Sequence, residues 1–202
     1  MNHLKGGLFS AIIIISIMLP YKLSAKTKVS GPEISWAIAH PFIAAKAKRI
    51  SERAVFITDS LEAAGVLKDR SGGQLDAFKH AFWMASLSQQ IKLKKAYKLG
   101  LAHEKYNYKQ SKKGKGGGDE AASEMDLWNN KVGLDLGYAN RNISEDSLIK
   151  LVVQAILGGD MKIIKKDAQG NSLDKQGRLI DKSTLKTWVN ARCLMYSNYI
   201  YN

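Results

Sequence analysis

The segment Asp76-Ala-Phe-Lys-His-Ala-Phe-Trp83 opens the stretch of sequence that decides the fold. Phe78 and Phe82 are four residues apart, which places both on one face of an α-helix and predicts that this face is buried. Asp76 and His80 are also four apart and lie one above the other on the helix surface. The same helix is therefore expected to pack in the core and to carry a carboxylate beside an imidazole.

Two further segments complete this stretch, which ends at residue 133. The first is Gly100-Leu-Ala-His-Glu104, and it contributes His103 and Glu104. The second is Glu124-Met-Asp-Leu-Trp-Asn-Asn-Lys-Val-Gly133. Most of the chain's plausible metal ligands and proton carriers fall within these three segments, so a functional site is expected here.

The third segment predicts a helix at about residues 120–136 with two different faces. One face is apolar and the other combines Asp126, Asn130, Gly133 and Gly137. A surface helix normally presents bulky charged residues opposite its buried face. A row of small and short polar residues instead indicates that another backbone or a ligand approaches closely. Gly100 would allow a similar approach near His103. Gly133 and Gly137 are also compatible with ordinary tight helix packing.

The complete pattern predicts a mainly α protein: a single domain of about six helices with a small C-terminal β-hairpin. A proline near the start of the first helix, Pro32, and a break at Pro41 define the first two helices. Glycine turns predict the hairpin within residues 161–181, and a flexible basic loop is expected at residues 107–118. A last helix is expected from about Thr184 to Tyr199, with Cys193 as a buried small side chain in it.

The N-terminus has the pattern of a secretory signal at residues 1–25, with a basic start, an apolar run and the small-residue site Leu23-Ser-Ala25. The mature single domain would then span residues 26–202, with the signature region at 74–137. The apolar run is too short for a membrane span, which needs roughly 20 residues, so none is expected in the mature form. The protein is expected in the periplasm or outside the cell.

The chain carries a formal net charge of +13, and +11 remains once the signal region with Lys5 and Lys22 is removed. Such an excess favours anionic surroundings such as lipid head groups or wall polymers. The lysines are not interleaved with aromatic residues, so specific nucleic-acid binding is not expected. An anionic component of the cell envelope is the expected partner, and simple solubility is the alternative explanation of the charge.

One hypothesis for the three segments is a metal site. His80, His103 and Asp126 would be the ligands of one divalent transition metal, with zinc favoured by imidazole and carboxylate donors. Asp76 would orient His80, and Glu104 would act as the general base. Helical bundles build interior metal sites in this way, with inward ligands from several helices.

Two other interpretations remain open on the sequence alone. In a metal-free site, His103 with Glu104 or Asp126 would act as an acid–base pair, while Asn129 or Asn130 would stabilise an oxyanion. Alternatively, the same polar groups form a buried hydrogen-bonded network that fixes the order of the helices.

At these residues the chain resembles a bacterial domain family of unknown function. The resemblance is carried by Ala77-Phe-Lys-His-Ala-Phe-Trp83, Ala102-His-Glu104 and Met125-Asp-Leu-Trp-Asn-Asn-Lys-Val-Gly133. Lys79 stands where the family segment has arginine, so a bidentate contact is not available there. The resemblance implies a helical domain, often exported, and it implies no particular activity.

The expected function is therefore an exported metal-assisted hydrolase acting on an anionic envelope component, either a phospholipid or a wall polymer. The alternative is a non-catalytic binding or interaction protein of the periplasm or exterior, in which the polar cluster is structural.

Overall fold

Six α-helices followed by a two-stranded antiparallel sheet make up the part of the chain that the computed structural model describes, residues 30–113 and 118–199. The predicted mainly α class with a small C-terminal hairpin is confirmed. The helices are α1 (Gly31–Ala39), α2 (Pro41–Ala63), α3 (Gln74–Gln90), α4 (Leu93–Lys112), α5 (Glu120–Ala139) and α6 (Glu145–Gly158), and the strands are β1 (Lys162–Ile164) and β2 (Leu194–Tyr196). The expected signal region, residues 1–25, lies outside the described residues.

Local sequence signals fix most of the helix ends. Pro41 separates α1 from α2, because proline cannot continue the hydrogen bonding of the preceding helix. Asp119 and Ser144 cap α5 and α6 by accepting hydrogen bonds from backbone amides of their first turns. Gly159, with φ of 92°, ends α6 in the left-handed conformation that glycine adopts without strain.

The central element is α3, which packs mainly against α5 and also contacts α2, α4 and α6. Its two phenylalanine rings, Phe78 and Phe82, are fully buried and stack 5.3 Å apart. A helix that is covered on nearly every side buries its polar side chains as well as its apolar ones. His80 is consequently in the interior, with 3% of its surface exposed.

The backbone of α3 is what approaches the row of small residues on α5. A Cβ atom added to Gly133 would overlap the carbonyl oxygen of Ala81, and one added to Gly137 would overlap that of Ala85. The two helices can lie this close only because these positions carry no side chain. This contact brings Asn130 and Asp126, one and two turns before Gly133 on α5, against the polar face of α3.

The prediction of a last helix at about Thr184–Tyr199 is wrong. This segment holds a single 3₁₀ turn, Thr184–Lys186, and then β2, which pairs with β1 in the register Ile163↔Met195. The buried backbone of β1 needs hydrogen-bond partners, and β2 supplies them, which outweighs local helix propensity. Cys193 lies half-buried just before β2, and burial raises the pKa of its thiol.

The strand that pairs with β1 also differs from the prediction. We expected both strands within residues 161–181, but β1 pairs across about 30 residues with β2. Residues 161–181 do form two tight turns, at Gly170 and Gly177. Each turn is closed by an isolated β-bridge, Lys166↔Ser172 around Gly170 and Leu173↔Leu179 around Gly177. The glycine signals therefore marked turns correctly but did not identify the partner strand.

The flexible loop expected at residues 107–118 is partly wrong, because α4 continues to Lys112. Tyr108 in this extension packs edge-on against Trp188, with ring centroids 4.8 Å apart. This tertiary contact favours the helix over the loop. Residues 114–117 lie outside the described residues. Within the described ranges, every helix is too short or too polar to cross a membrane.

Candidate metal centre

Three side chains from α3 and α5 converge in the interior. Asp76 and His80 lie one turn apart on α3, and Asp126 faces them from α5. The His80 Nε2 atom lies 3.8 Å from the Asp76 Oδ1 atom and 3.4 Å from the Asp126 Oδ1 atom. One donor atom from each residue lies within 4.8 Å of the other two, so this cluster could hold a metal ion.

The spacing of the donor atoms fits a small divalent cation. Ligand atoms placed tetrahedrally about 2.1 Å from zinc are about 3.4 Å apart. The separations of 3.4 Å and 3.8 Å from the His80 Nε2 atom are close to this value. The donor atoms of the two carboxylates lie within 4.8 Å of each other, so the carboxylates would have to adjust for one ion to bind all three donors.

The hydrogen bond of the His80 Nδ1 atom determines whether the Nε2 atom carries a hydrogen or a lone pair. The Nδ1 atom of His80 lies 3.3 Å from the side-chain oxygen of Asn130. An amide oxygen only accepts hydrogen bonds, so Nδ1 carries the hydrogen and donates it. The Nε2 atom then presents a lone pair towards Asp76 and Asp126, which is favourable only if a proton or a metal cation lies between these acceptors.

The carboxyl group of Asp126 is the least satisfied member of the cluster. Its Oδ1 atom is buried and makes no hydrogen bond. Burial, and then the negative charges of Asp76 and Glu104, raise the pKa of Asp126 well above its ordinary value. In the metal-free protein this acid therefore holds a proton at a pH where an exposed aspartate does not. A bound cation would replace that proton.

Burial acts on the other two members in different ways. It lowers the pKa of His80 to about 3, assisted by the positive charge of Lys79, so the ring is neutral and able to bind a metal. Burial alone would raise the pKa of Asp76. The Lys79 ammonium, 2.5 Å from the Asp76 Oδ1 atom, and the amide of Gly72, 2.9 Å from its Oδ2 atom, nevertheless lower it.

His103, which was expected to be a ligand, does not join this cluster. Its ring centroid lies 5.9 Å from that of His80, and its Nδ1 atom lies 2.9 Å from the Glu33 Oε1 atom. Burial opposes ionisation of Glu33, but hydrogen bonds with His103 and Ser30 lower its pKa to about 2. The result is an ionised carboxylate that orients a partly exposed imidazole next to the cluster.

Glu104, expected to be the general base, is buried next to the cluster on α4. Its Oε2 atom accepts from the Asn107 amide and the Ser123 hydroxyl, both at 3.3 Å, while its Oε1 atom has no hydrogen bond. Burial is the main cause of the raised pKa of Glu104. A buried and hydrogen-bonded carboxyl group is poorly placed to reach a substrate.

The remaining site candidates are placed as follows. Asn129 is fully buried and faces β1: it accepts from the Lys162 amide at 2.8 Å and donates to the Lys162 carbonyl at 3.0 Å, which anchors the strand to α5. A Cβ atom at Gly100 would lie 3.2 Å from the Met84 Cε atom and 3.4 Å from the Asn130 amide nitrogen. The absence of a side chain at Gly100 thus leaves room for the side chains of Met84 and Asn130, and no backbone of another described segment approaches it as closely.

Comparison with known proteins identifies the family. The family model described as a domain of unknown function, DUF6973, matches residues 34–160, which is more than half of the chain. The chain belongs to the DUF6973 family. The match includes the signature region 74–137 and ends before β1, so the predicted membership in a domain family of unknown function is confirmed. No curated protein and no solved structure matches the chain.

Two contacts near the candidate centre of this DUF6973 domain are missed by the sequence interpretation. Glu33 lies 70 residues from its partner His103, and the sequence explains it only as an acidic residue in the first turn of a helix. Lys79 was noted only as a departure from arginine, although it neutralises Asp76. The contact between Glu33 and His103 depends on how the helices pack. Lys79 and Asp76, in contrast, are three residues apart on one helix, and this spacing could have been identified from the sequence.

The raised pKa of Asp126 predicts how the stability of the metal-free DUF6973 domain depends on pH. The folded state binds this proton more tightly than the unfolded state does, so the free energy of unfolding should fall as pH rises from the ordinary aspartate range through the folded pKa. Asp126→Asn removes this titration, and the variant should gain stability relative to wild type as pH increases. Urea unfolding in EDTA between about pH 4.5 and pH 8.5 measures the difference.

Asp135→Asn is the matched control, because Asp135 lies on the exposed side of the same helix and pairs with Lys131. This variant should follow the wild-type pH profile. If Asp126→Asn also follows it, Asp126 is ionised in the folded protein and the proposed proton is absent.

Proposed function

We propose that this protein is a metal-dependent hydrolase that acts on an anionic component of the cell envelope. Asp76, His80 and Asp126 would hold one divalent transition metal, with zinc favoured by the mixed imidazole and carboxylate donors. The observation that carries the proposal is the lone pair of the buried His80 Nε2 atom, which faces two carboxyl groups at 3.4 Å and 3.8 Å. A divalent cation at this position would bind all three donors together.

Each nearby residue has a role in this proposal. A metal ion held by these residues would activate water as a nucleophile at neutral pH. His103, oriented by Glu33, would take the proton that this water loses and deliver it to the leaving group. Asn130 positions His80 and does not contact the substrate, and Lys79 offers a positive charge to an anionic substrate.

A cavity of about 120 Å³ beside the centre supports access to it. His80, His103, Lys79 and Glu33 contribute to its wall. The His103 side chain is one-third exposed, so it can exchange protons with solvent while it faces the cavity. The geometry thus favours His103 over the more deeply buried Glu104 as the acid–base group.

The anionic substrate class and the location outside the cytoplasm rest on the sequence. The net charge of +13 favours negatively charged surfaces, and the first 25 residues have the pattern of an export signal. Both statements remain part of the proposal.

One observation favours the second candidate, a non-catalytic binding protein with a structural polar cluster. Lys79 already neutralises Asp76, and a protonated Asp126 beside a neutral His80 leaves the cluster without excess charge. A buried network of this kind can specify a fold without binding a metal.

Metal analysis and hydrolysis distinguish the two candidates. Protein purified without a histidine tag should contain about one equivalent of a transition metal, as in other single-ion catalytic sites. It should hydrolyse an aryl phosphodiester, and EDTA should abolish this activity until zinc is restored. A metal-free protein that does not take up zinc would leave only the binding-protein candidate.

Glu33→Gln tests the role of the Glu33–His103 pair. Glutamine keeps the size of the side chain but removes the carboxylate that orients the His103 ring, so kcat should fall about tenfold with zinc content unchanged. Glu52→Gln, which alters an α2 carboxylate paired only with Lys48 in the described structure, is the matched control and should not change kcat. Equal kcat values for the two variants would exclude His103 as the oriented acid–base group.

A further inference from the structure

A second cavity lies against the first, between α1 and α2. Its volume is about 260 Å³, and the two cavities share Glu33, Ser51 and Trp83 as lining residues. The remaining wall of the second cavity is mostly apolar: Trp36, Ala37, Ala44, Ala45, Ala47, Lys48 and Leu99. We refer to this second cavity as the alanine cleft.

The shared wall has few free polar groups. The Trp83 indole nitrogen donates to the Ser51 hydroxyl at 2.8 Å, and the Trp36 indole nitrogen donates to the Lys95 carbonyl at 3.1 Å. Both tryptophans therefore present apolar ring surface to the cleft. The first cavity, whose wall includes Lys79, His80 and His103, therefore adjoins a second cavity whose wall is mostly apolar.

Exposed apolar side chains lie close in sequence to the residues that line the cleft. Ile34 and Ile38 are 48% and 75% exposed on α1, and Phe42 is 99% exposed at the start of α2. Ile34 and Ile38 are one turn apart, so they share a face. Among the basic side chains of α2, Lys48 lines the alanine cleft, whereas Lys46 and Arg49 line a different cavity. Exposed apolar side chains near a basic residue are compatible with contact to an anionic membrane surface.

We propose that the alanine cleft binds the acyl chain of an anionic, membrane-derived amphiphile whose head group lies at the metal centre. The inference rests on the proposed hydrolase function and deepens it, because it selects a lipid-like substrate over a wall polymer. A wall polymer is polar along its whole length and would leave the apolar wall in contact with water. The two volumes together suit one chain and a small head group, at the lower end of the roughly 300–1,000 Å³ typical of ligand pockets.

Titration calorimetry of the zinc-loaded full chain tests the inference with three ligands: inorganic phosphate, butyl phosphate and decyl phosphate, all below micelle-forming concentration. Each methylene group that leaves water can tighten binding up to about fourfold. We expect decyl phosphate to bind at least about tenfold more tightly than butyl phosphate. Decanol has the chain without the anionic head, so its affinity reports on chain binding in the cleft independently of the metal.

Ala44→Trp fills the alanine cleft and should remove the preference for decyl over butyl phosphate. Ala63→Trp is the matched control, because Ala63 is exposed at the opposite end of the same helix, and it should behave as wild type. Circular dichroism checks that both variants are folded. If Ala44→Trp does not fold, Ala45→Trp, at an exposed lining position, replaces it.

The outcomes separate the two proposals. If butyl and decyl phosphate bind equally, or if the Ala44→Trp and Ala63→Trp proteins keep the same chain preference, the alanine cleft is not an acyl site, and zinc-dependent hydrolysis can still stand. If zinc and phosphate do not bind while decanol binding is lost only in Ala44→Trp, the hydrolase proposal fails and chain binding remains.

Discussion

His80→Ala should abolish metal binding and, with it, zinc-dependent hydrolysis. His80 supplies the one neutral nitrogen donor of the cluster, and the two remaining carboxyl groups, one of them with a raised pKa, are a poor site for zinc. Elemental analysis after dialysis against zinc should give close to one equivalent for wild type and background for the variant. The variant will also lose stability, so folding must be checked by thermal unfolding in EDTA.

His103→Ala is the informative comparison. Both variants lose a histidine from the same region, but only His80 lies within ligand distance of Asp76 and Asp126. The His103 variant should retain about one equivalent of zinc and lose roughly 100-fold in kcat, as expected for loss of an acid–base group. If both variants lose zinc, His103 is also a metal ligand. If both variants keep zinc, His80 is not a metal ligand.

Gly133→Ala should destabilise the fold by about 3 kcal/mol or more, the upper end of the range for overpacking. The added methyl group would overlap the Ala81 carbonyl, and backbone atoms cannot rotate away as a side-chain end can. α3 and α5 would have to separate, which would also move Asp126 away from His80. Urea unfolding gives the free energy, and zinc titration should show weaker binding.

Two other glycines serve as controls for this prediction. A Cβ atom at Gly158 meets nothing within 4 Å, and one at Gly100 meets the flexible end of Met84 at 3.2 Å. Alanine is intrinsically favoured over glycine in helices by up to about 1 kcal/mol. Gly158→Ala should therefore be neutral or stabilising, and Gly100→Ala close to neutral. Similar losses at all three positions would mean that close backbone contact is not the reason for Gly133.

Much of the helical architecture could be predicted because its signals are local. Pro41, Asp119 and Ser144 act within a single helical turn, so their effect does not depend on the rest of the fold. The same locality explains the failure at residues 184–199. β2 exists because β1 requires a partner about 30 residues away, and no spacing within the segment records that requirement.

The candidate site could likewise be predicted where its signals are local, and not where it depends on contacts between distant segments. Asp76 and His80 follow from an interval of four residues on one helix, and the small residues of α5 indicated the face that meets them. His103 and Glu104 are neighbours that point about 100° apart on a helix, so sequence could not decide which of them faces the cluster. The structure turns Glu104 inward and pairs His103 with Glu33, a contact set by the packing of α1 on α4.

The capping box of α1 links the order of the first turn of α1 to the reactivity of the His103 imidazole, 70 residues away. The Glu33 Oε2 atom accepts from the Ser30 amide at 2.7 Å, while the Oε1 atom of the same carboxylate holds His103. Fraying of that turn, visible as faster amide hydrogen exchange at residues 33–35, would release the imidazole without disturbing the metal ligands. Protein with a frayed start should therefore keep its zinc and lose turnover, so metal content alone would overstate the fraction of competent molecules in a preparation.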